Sequence, residues 1–157
     1  MGQPQKEFYK LTQPFQKDIS DLKLHFARRE ALHRQLGLPS RLFANQSIIE
    51  FGPGHGENAL FTLMQGPRRF VLVDANQTCL DYAQNLLETH RPKGTDLEWH
   101  LAEIESFPNC EQFDLVICEG TIPFQTDPIG LLHKVSSFVK PNGGLLNVTC
   151  CCPVSQL

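Results

Sequence analysis

Hydrophobic positions from residue 46 onward alternate between short β-rich runs and longer stretches with helical spacing. The β-rich runs predict five strands, over residues 47–51, 70–73, 97–101, 113–118 and 145–149. The stretches between them predict helices over about 57–64 and 78–90 and a third from residue 128. This alternation is typical of βαβ units. The sequence therefore predicts an α/β fold with a doubly wound, Rossmann-like parallel sheet.

The third of these helices has clear signals at its start. Asp127 is suited to cap it, and proline at position 128 fits its first turn. The apolar spacing predicts a buried stripe formed by Ile129, Leu132, Val135 and Val139.

The first 44 residues differ from the rest. Helix formers dominate residues 18–36, and Gly37 and Pro39 then supply a stop signal. A shorter amphipathic piece covers residues 7–11. We expect residues 1–44 to form a helical segment packed on an α/β domain of residues 45–157.

Composition limits the classes of function. The chain has 157 residues, 41% of them hydrophobic, which suits one globular domain. Its net charge of -3 gives no positive field for nucleic acid or an anionic membrane, and the arginine pairs at 28–29 and 68–69 are interpreted as solvated surface. No apolar run approaches the roughly 20 residues of a membrane span, so a cytoplasmic protein is expected. The six cysteines lack zinc-like spacing and predict thiols without a metal.

The strongest local signal is the glycine turn, residues 50–56 (E-F-G-P-G-H-G), which joins the first strand to the first helix of the α/β region. Its three glycines let the main chain approach a ligand closely. A dinucleotide fingerprint would place a glycine at position 57, where Glu57 would repel a pyrophosphate. The turn therefore favours a cofactor without phosphate and disfavours a nicotinamide-dependent oxidoreductase.

Asp74 ends the second strand 18 residues after Gly56. From this place in doubly wound folds a carboxylate reaches the ribose hydroxyls of a cofactor. The alternative role is to cap the following helix.

These motifs resemble the class I S-adenosylmethionine-dependent methyltransferases, especially their small-molecule branch. The family's glycine motif, with its leading acid, is matched by residues 50–56, and its ribose-binding acid by Asp74. Its adenine motif resembles residues 102–108. By that resemblance Glu103 accepts the adenine amino group and the Ile104 N–H meets a ring nitrogen.

Two further motifs follow in the order of the family. Its F-D-L-V strand is residues 113–116, and its L-K-P-G-G turn is residues 139–144 with one extra residue. The resemblance implies S-adenosyl-L-methionine as cofactor and a small-molecule acceptor. It implies a cofactor site formed by Glu50, Gly52, Pro53, Gly54, Gly56, Asp74, Ala75, Asn76, Ala102, Glu103, Ile104, Cys118 and Glu119.

The resemblance also shows departures. Family members usually continue past the fifth strand through a helix and a two-stranded hairpin, so an incomplete methyltransferase fold is expected, with a fifth-strand edge open to self-association. A cofactor-binding module without turnover is therefore the alternative function. Residues 118–124 contain no D-P-P-Y run, so methylation of a nucleobase amino group has no support.

The sequence has no fixed catalytic motif to look for, because in-line methyl transfer depends mainly on the orientation of the acceptor toward the methyl group and requires no particular side chain. His55 and Glu119 are candidate bases. The alternatives are a spacer in the glycine turn for His55, and a contact to the cofactor amino group or a solvated acid for Glu119. Tyr82 and Trp99 are expected in the core.

Overall fold

The computed structural model describes residues 19–122 and 125–149. The predicted segment at 7–11 and the cysteines at 150–152 lie outside these residues. The described elements, in chain order, are α1 (Leu22–Gln35), a short 3-10 helix (Ser40–Leu42), β1 (Ser47–Phe51), α2 (Glu57–Met64), β2 (Arg69–Asp74), α3 (Gln77–His90), β3 (Asp96–Leu101), β4 (Leu115–Glu119), α4 (Pro128–Ser136) and β5 (Leu145–Thr149).

The five strands form one parallel sheet in the order β3-β2-β1-β4-β5. Central β1 is paired on both sides, with Ile49 opposite Val71 on β2 and Val116 on β4. All five β1 residues are buried, as a strand covered on both faces requires. The predicted doubly wound fold is confirmed.

Side-chain alternation along the strands builds a separate apolar core on each face of the sheet. One core joins Ile49 and Phe51 to Leu131 and Val135 of α4. The opposite core packs α2 and α3 on the sheet, through Ile48, Leu60, Leu63, Leu72 and Leu87. Leu22 and Phe26 of α1 are only partly buried against this second core. The N-terminal helix is therefore an outer addition to a domain that is already covered.

The predicted buried stripe of α4 is wrong in its register. The helix begins as predicted, with the Gly130 N–H donating to Asp127 Oδ1 at 2.8 Å. Ile129 and Leu132, however, are 69% and 42% exposed, whereas the buried residues are Leu131 and Val135. Leu131 and Val135 are four apart and share a helix face, and Ile129 lies about 200° around the helix from Leu131.

The fourth strand begins two residues later than predicted, because Phe113 makes only an isolated bridge to Val139. Asp114 instead joins three segments at the amino edge of the sheet. Its Oδ2 accepts from the Ser47 N–H at 2.9 Å, and its Oδ1 accepts from Lys140 Nζ at 2.6 Å. Burial alone would raise the pKa of Asp114, but these donors outweigh it and lower the pKa to about 2.

β5 has no second neighbour among the described strands, and Leu145 is exposed there. Self-association through this edge stays a prediction. No described helix has both the length and the apolar character needed to cross a membrane.

Candidate cofactor site

The glycine turn lies at the carboxyl edge of the sheet, where the strand order reverses. The turn follows β1 at the centre of the sheet. On one side of β1 the sheet extends through β2 and β3, and on the other side through β4 and β5. In open α/β sheets, ligands bind at such a switch point. The end of β2 brings Asp74 to one side of the turn, and the end of β4 brings Glu119 to the other.

The three glycines of the turn serve three different purposes, although all have positive φ angles, of 72°, 58° and 86°. A Cβ on Gly52 would lie 2.6 Å from Thr121 Oγ1, so this chain's own side chain occupies that space. A Cβ on Gly56 would lie 2.9 Å from Ala83 Cβ, because α3 packs there. A Cβ on Gly54 would meet nothing within 4 Å. The space beside Gly54 is therefore open to a ligand, and ligand contacts at all three glycines remain predictions.

Asp74 is hydrogen-bonded to the main chain at Gly54, the open position of the turn. Its Oδ2 accepts from the Gly54 N–H at 3.1 Å, and its Oδ1 accepts from the Asn76 N–H at 2.9 Å. Burial raises the pKa of Asp74, against the lowering effect of these backbone hydrogen bonds. The carboxylate thus holds the turn and the end of β2 together.

The alternative capping role of Asp74 is excluded, because Asn76 caps α3. Asn76 is buried, and its Oδ1 accepts from the Cys79 N–H at 3.2 Å. Ala75, between the two, is exposed beside the carboxylate. Contacts of Asp74, Ala75 and Asn76 with a cofactor remain predictions.

The predicted adenine segment lies next to Asp74. The Ala102 N–H donates to the Asp74 carbonyl oxygen at 2.9 Å, which extends the pairing of β2 and β3. The Glu103 carbonyl then accepts from Phe107 at 3.0 Å and closes a turn in which Ile104 is buried. The structure therefore brings 102–104 and Asp74 to one end of the crevice.

The remaining predicted residues are mostly covered. Glu50, Pro53 and Cys118 are buried under the turn. Contacts of these three residues with a cofactor remain predictions.

His55 is a poor general base in this geometry. It is only 5% exposed, and its ring meets Tyr82 edge-on with 5.1 Å between centroids. Its Nδ1 finds no hydrogen-bond partner among the described residues. Tyr82 is 47% exposed, so its placement in the core was wrong, whereas Trp99 packs against the second core as expected.

Glu119 is surrounded by donors from three other elements. Arg29 Nη2 and Nη1 on α1 donate to its two oxygens at 2.8 and 2.9 Å. Asn58 on α2 and Asn147 on β5 each donate at 3.2 Å. The two oxygens of Glu119 thus already accept from four donors, and the predicted roles of its side chain as base or amino-group contact would have to share these oxygens.

His33 completes this buried cluster. Its Nε2 accepts from Arg29 Nη2 at 3.0 Å, and its ring stacks on Phe43 at 5.2 Å. Burial, and then the charge of Arg29, lower the pKa of His33 to about 4, so the ring is neutral at pH 7. Interpreting Arg29 as solvated surface was wrong, because it is buried. Helical periodicity gives no sign of a partner 90 residues away.

The described residues contain no group of three or more His, Cys, Asp or Glu side chains that could hold a metal ion. The residues at the switch point instead place the carboxylates of Asp74 and Glu57 beside the glycine turn. Fold and site together define an α/β protein with a candidate ligand site at the carboxyl edge of its parallel sheet.

The comparisons with known proteins identify the family. Residues 48–143 match the family described as a methyltransferase domain, and the chain belongs to that family. No curated protein sequence matches the chain. These findings confirm the predicted class and, with the solved structures below, S-adenosyl-L-methionine as its cofactor.

Solved structures with low sequence identity share the fold. Coclaurine N-methyltransferase bound to N-methylheliamine and SAH is 18% identical over 85% of this chain and 38% of its own, with a TM-score of 0.64. A SAM-dependent methyltransferase from Thiobacillus denitrificans with S-adenosyl-L-homocysteine is 17% identical over 92% of this chain and 52% of its own, with a TM-score of 0.62. Magnesium protoporphyrin IX methyltransferase from Synechocystis PCC 6803 with SAM is 11% identical over 90% and 77%, with a TM-score of 0.63. The chain spans about half or less of the length of the first two.

Proposed function

We propose that this chain binds S-adenosyl-L-methionine across the crevice and that the protein transfers its methyl group to a small-molecule acceptor. The observation that carries the proposal is the open position at Gly54, whose N–H is hydrogen-bonded to the partly buried carboxylate of Asp74 at the switch point. A main chain without a Cβ beside a carboxylate suits a ribose, whose two hydroxyls are donors for one acid.

The other parts of the cofactor have matching positions along the crevice. Glu103 and the Ile104 N–H would receive the adenine, next to Asp74. The methionine portion would extend past Gly54 toward the end of β4, at Cys118 and Glu119. The cofactor, when bound, supplies an activated methyl group. Orientation of an acceptor in line with that methyl would contribute about 7–11 kcal/mol.

Charge supports this cofactor over a dinucleotide. Glu57 is buried in the first turn of α2, at the helix end that would have to receive a pyrophosphate. A carboxylate there opposes two phosphate charges but is compatible with a sulfonium. The nicotinamide-dependent alternative is therefore disfavoured.

The acceptor class is inferred from the similar structures. Two of the similar structures are methyltransferases named for, or bound to, small molecules. Binding without turnover is the second candidate, because His55 is covered by Tyr82 and Glu119 is saturated by donors. An acceptor that needs no proton removal would reconcile turnover with these two side chains.

Calorimetry with S-adenosyl-L-homocysteine and with NAD tests the cofactor. We expect binding of the former and none of the latter, and tighter binding of NAD would refute the assignment. Turnover is tested separately with labelled S-adenosyl-L-methionine and a small-molecule acceptor library. We expect transfer of the label to an acceptor, and cofactor binding without any transfer would favour the second candidate.

A further inference from the structure

α1 is attached to the domain mainly through polar side chains. Arg29 and His33 are its only fully buried residues. Its apolar contacts are half-buried, with Phe26 meeting Phe61 of α2 edge-on at 5.7 Å. The ring of His33 adds a fully buried contact, because it packs against Phe43 and Phe61. A ligand that binds more tightly while α1 is docked would favour the docked position of α1.

Two polar contacts attach α1, one from His25 Nε2 to the Glu57 carbonyl oxygen at 2.7 Å and the other to a carboxylate at the candidate cofactor site. Glu119 receives Arg29 from α1, Asn58 from α2 and Asn147 from β5. Asn58 is in the first turn of α2, directly after the glycine turn. The residue two positions after Glu119, Thr121, places its hydroxyl against Gly52. The glycine turn is thus flanked on both sides by segments that Glu119 holds.

Loss of Arg29 from this cluster would remove two charge-assisted hydrogen bonds from the buried carboxylate of Glu119. Taking one partner away from a buried ion pair is strongly unfavourable. The end of β4 and the start of α2 would have to move to hydrate the carboxylate, and both border the predicted place of the methionine portion. Docking of α1 therefore stabilises the conformation of the glycine turn that binds the cofactor, and that conformation in turn stabilises docked α1.

We propose that the Arg29–Glu119 pair couples the docking of α1 to cofactor binding, with Arg29 as a positioning residue that touches no ligand. The inference rests on the proposed function, because the coupled ligand is S-adenosyl-L-methionine or its demethylated product. Since coupling is reciprocal, the factor by which bound cofactor stabilises docked α1 equals the factor by which docked α1 raises cofactor affinity.

Arg29→Leu and a matched control on the same helix test the coupling. Arg34→Leu makes the same substitution at a side chain that is 79% exposed and pairs only with Glu30 on the surface. S-adenosyl-L-homocysteine is the probe, with affinity measured by calorimetry and α1 docking by amide hydrogen exchange. We expect affinity to fall about tenfold in Arg29→Leu and to stay unchanged in Arg34→Leu. Bound probe should slow exchange of residues 22–35 in the wild type and in Arg34→Leu only.

His33 gives a second readout of docking, because burial lowers its pKa more than the charge of Arg29 does. Its ring titrates near pH 4 while α1 is docked against Arg29, Glu119 and Phe43. Undocking removes the burial, so the pKa measured by NMR should return toward 6.5 in Arg29→Leu. Arg29→Lys keeps the positive charge but cannot form two parallel hydrogen bonds to Glu119. Its cofactor affinity, its α1 hydrogen exchange and its His33 pKa should be intermediate between those of the wild type and Arg29→Leu. This variant tests the coupling if Arg29→Leu does not fold.

The outcomes separate the two proposals. A wild-type chain that does not bind the probe refutes the proposed function and the coupling with it. Binding by the wild type, with affinity within twofold in Arg29→Leu or Arg29→Lys and no effect of the probe on α1 exchange, overturns the coupling alone.

Discussion

The different surroundings of Gly54 and Gly56 make a matched pair of alanine substitutions informative. Both glycines have positive φ angles, so Ala at either position costs about 1–2 kcal/mol in backbone strain. Only Gly56→Ala adds a steric clash. Its Cβ would lie 3.0 Å from the Ala83 Cα, a backbone atom that cannot rotate away, and 3.0 Å from Leu87 Cδ1.

The clash determines the expected ranking of stability. Overpacking of this kind costs about 1–3 kcal/mol, so Gly56→Ala should lose about 2–5 kcal/mol of unfolding free energy and Gly54→Ala about 1–2. The ranking for binding should be reversed. The new methyl group at Gly54 would enter the open space proposed for the cofactor, whereas the one at Gly56 faces α3.

Urea unfolding measures the first ranking, and calorimetry with S-adenosyl-L-homocysteine on the folded fraction measures the second. Equal stability of the two variants would show that α3 does not pack on Gly56 as described. Unchanged affinity in a folded Gly54→Ala variant would show that the cofactor does not approach the turn there, and would remove the main support for the proposed site.

Four further predictions concern three titratable side chains, those of Asp74, Glu103 and His33. Asp74→Ala should weaken cofactor binding on the order of 100-fold by calorimetry, with exposed Asp81→Ala as control, and an unchanged affinity would contradict the ribose role. Because burial raises the pKa of Asp74, affinity in the wild type should start to fall, as pH is lowered, above the pH at which an ordinary aspartate protonates. Glu103→Gln should be milder than Asp74→Ala, since the amide oxygen still accepts one hydrogen bond, and the opposite ranking would displace adenine from β3. His33, whose pKa is lowered to about 4, stabilises the fold above pH 6.5 and loses about 3 kcal/mol of that contribution as pH falls to 4. His33→Phe should lack this loss in urea unfolding at pH 7 and 4.5, and an identical pH dependence would show that the ring is not buried as a neutral base.

Most of the sheet could be predicted because its signals are local. The bounds of β1, α2 and β5 match those expected from the sequence, since each combines an apolar run with a turn or glycine signal at its end. The stripe of α4 could not be placed, because Ile129, Leu131 and Leu132 are all apolar and only the approach of the sheet decides which of them it covers.

The candidate site divides along the same line. The glycine turn and Asp74 lie at the ends of two successive strands, so their positions could be predicted from the sequence. The cluster around Glu119 instead joins residues 29, 58, 119 and 147, which are far apart in the chain. Arginine, asparagine and glutamate at such separations have no periodicity, and their pairing depends on tertiary packing alone. The different partners of Gly52, Gly54 and Gly56 are also tertiary facts, because one glycine motif gives the same signal for all three.

The strand order also determines how long one edge of β1 stays unpaired while the chain is being synthesised. β1 pairs with β2 soon after both are made, but its other edge pairs with β4, roughly 60 residues later. At a synthesis rate of about 5–20 residues per second, the β1 edge that later pairs with β4 stays open for about 3–12 s. An open edge of that kind is a template for pairing with another chain. The same reversal of strand order that creates the cofactor crevice therefore makes the nascent chain most vulnerable to aggregation before residue 119 emerges.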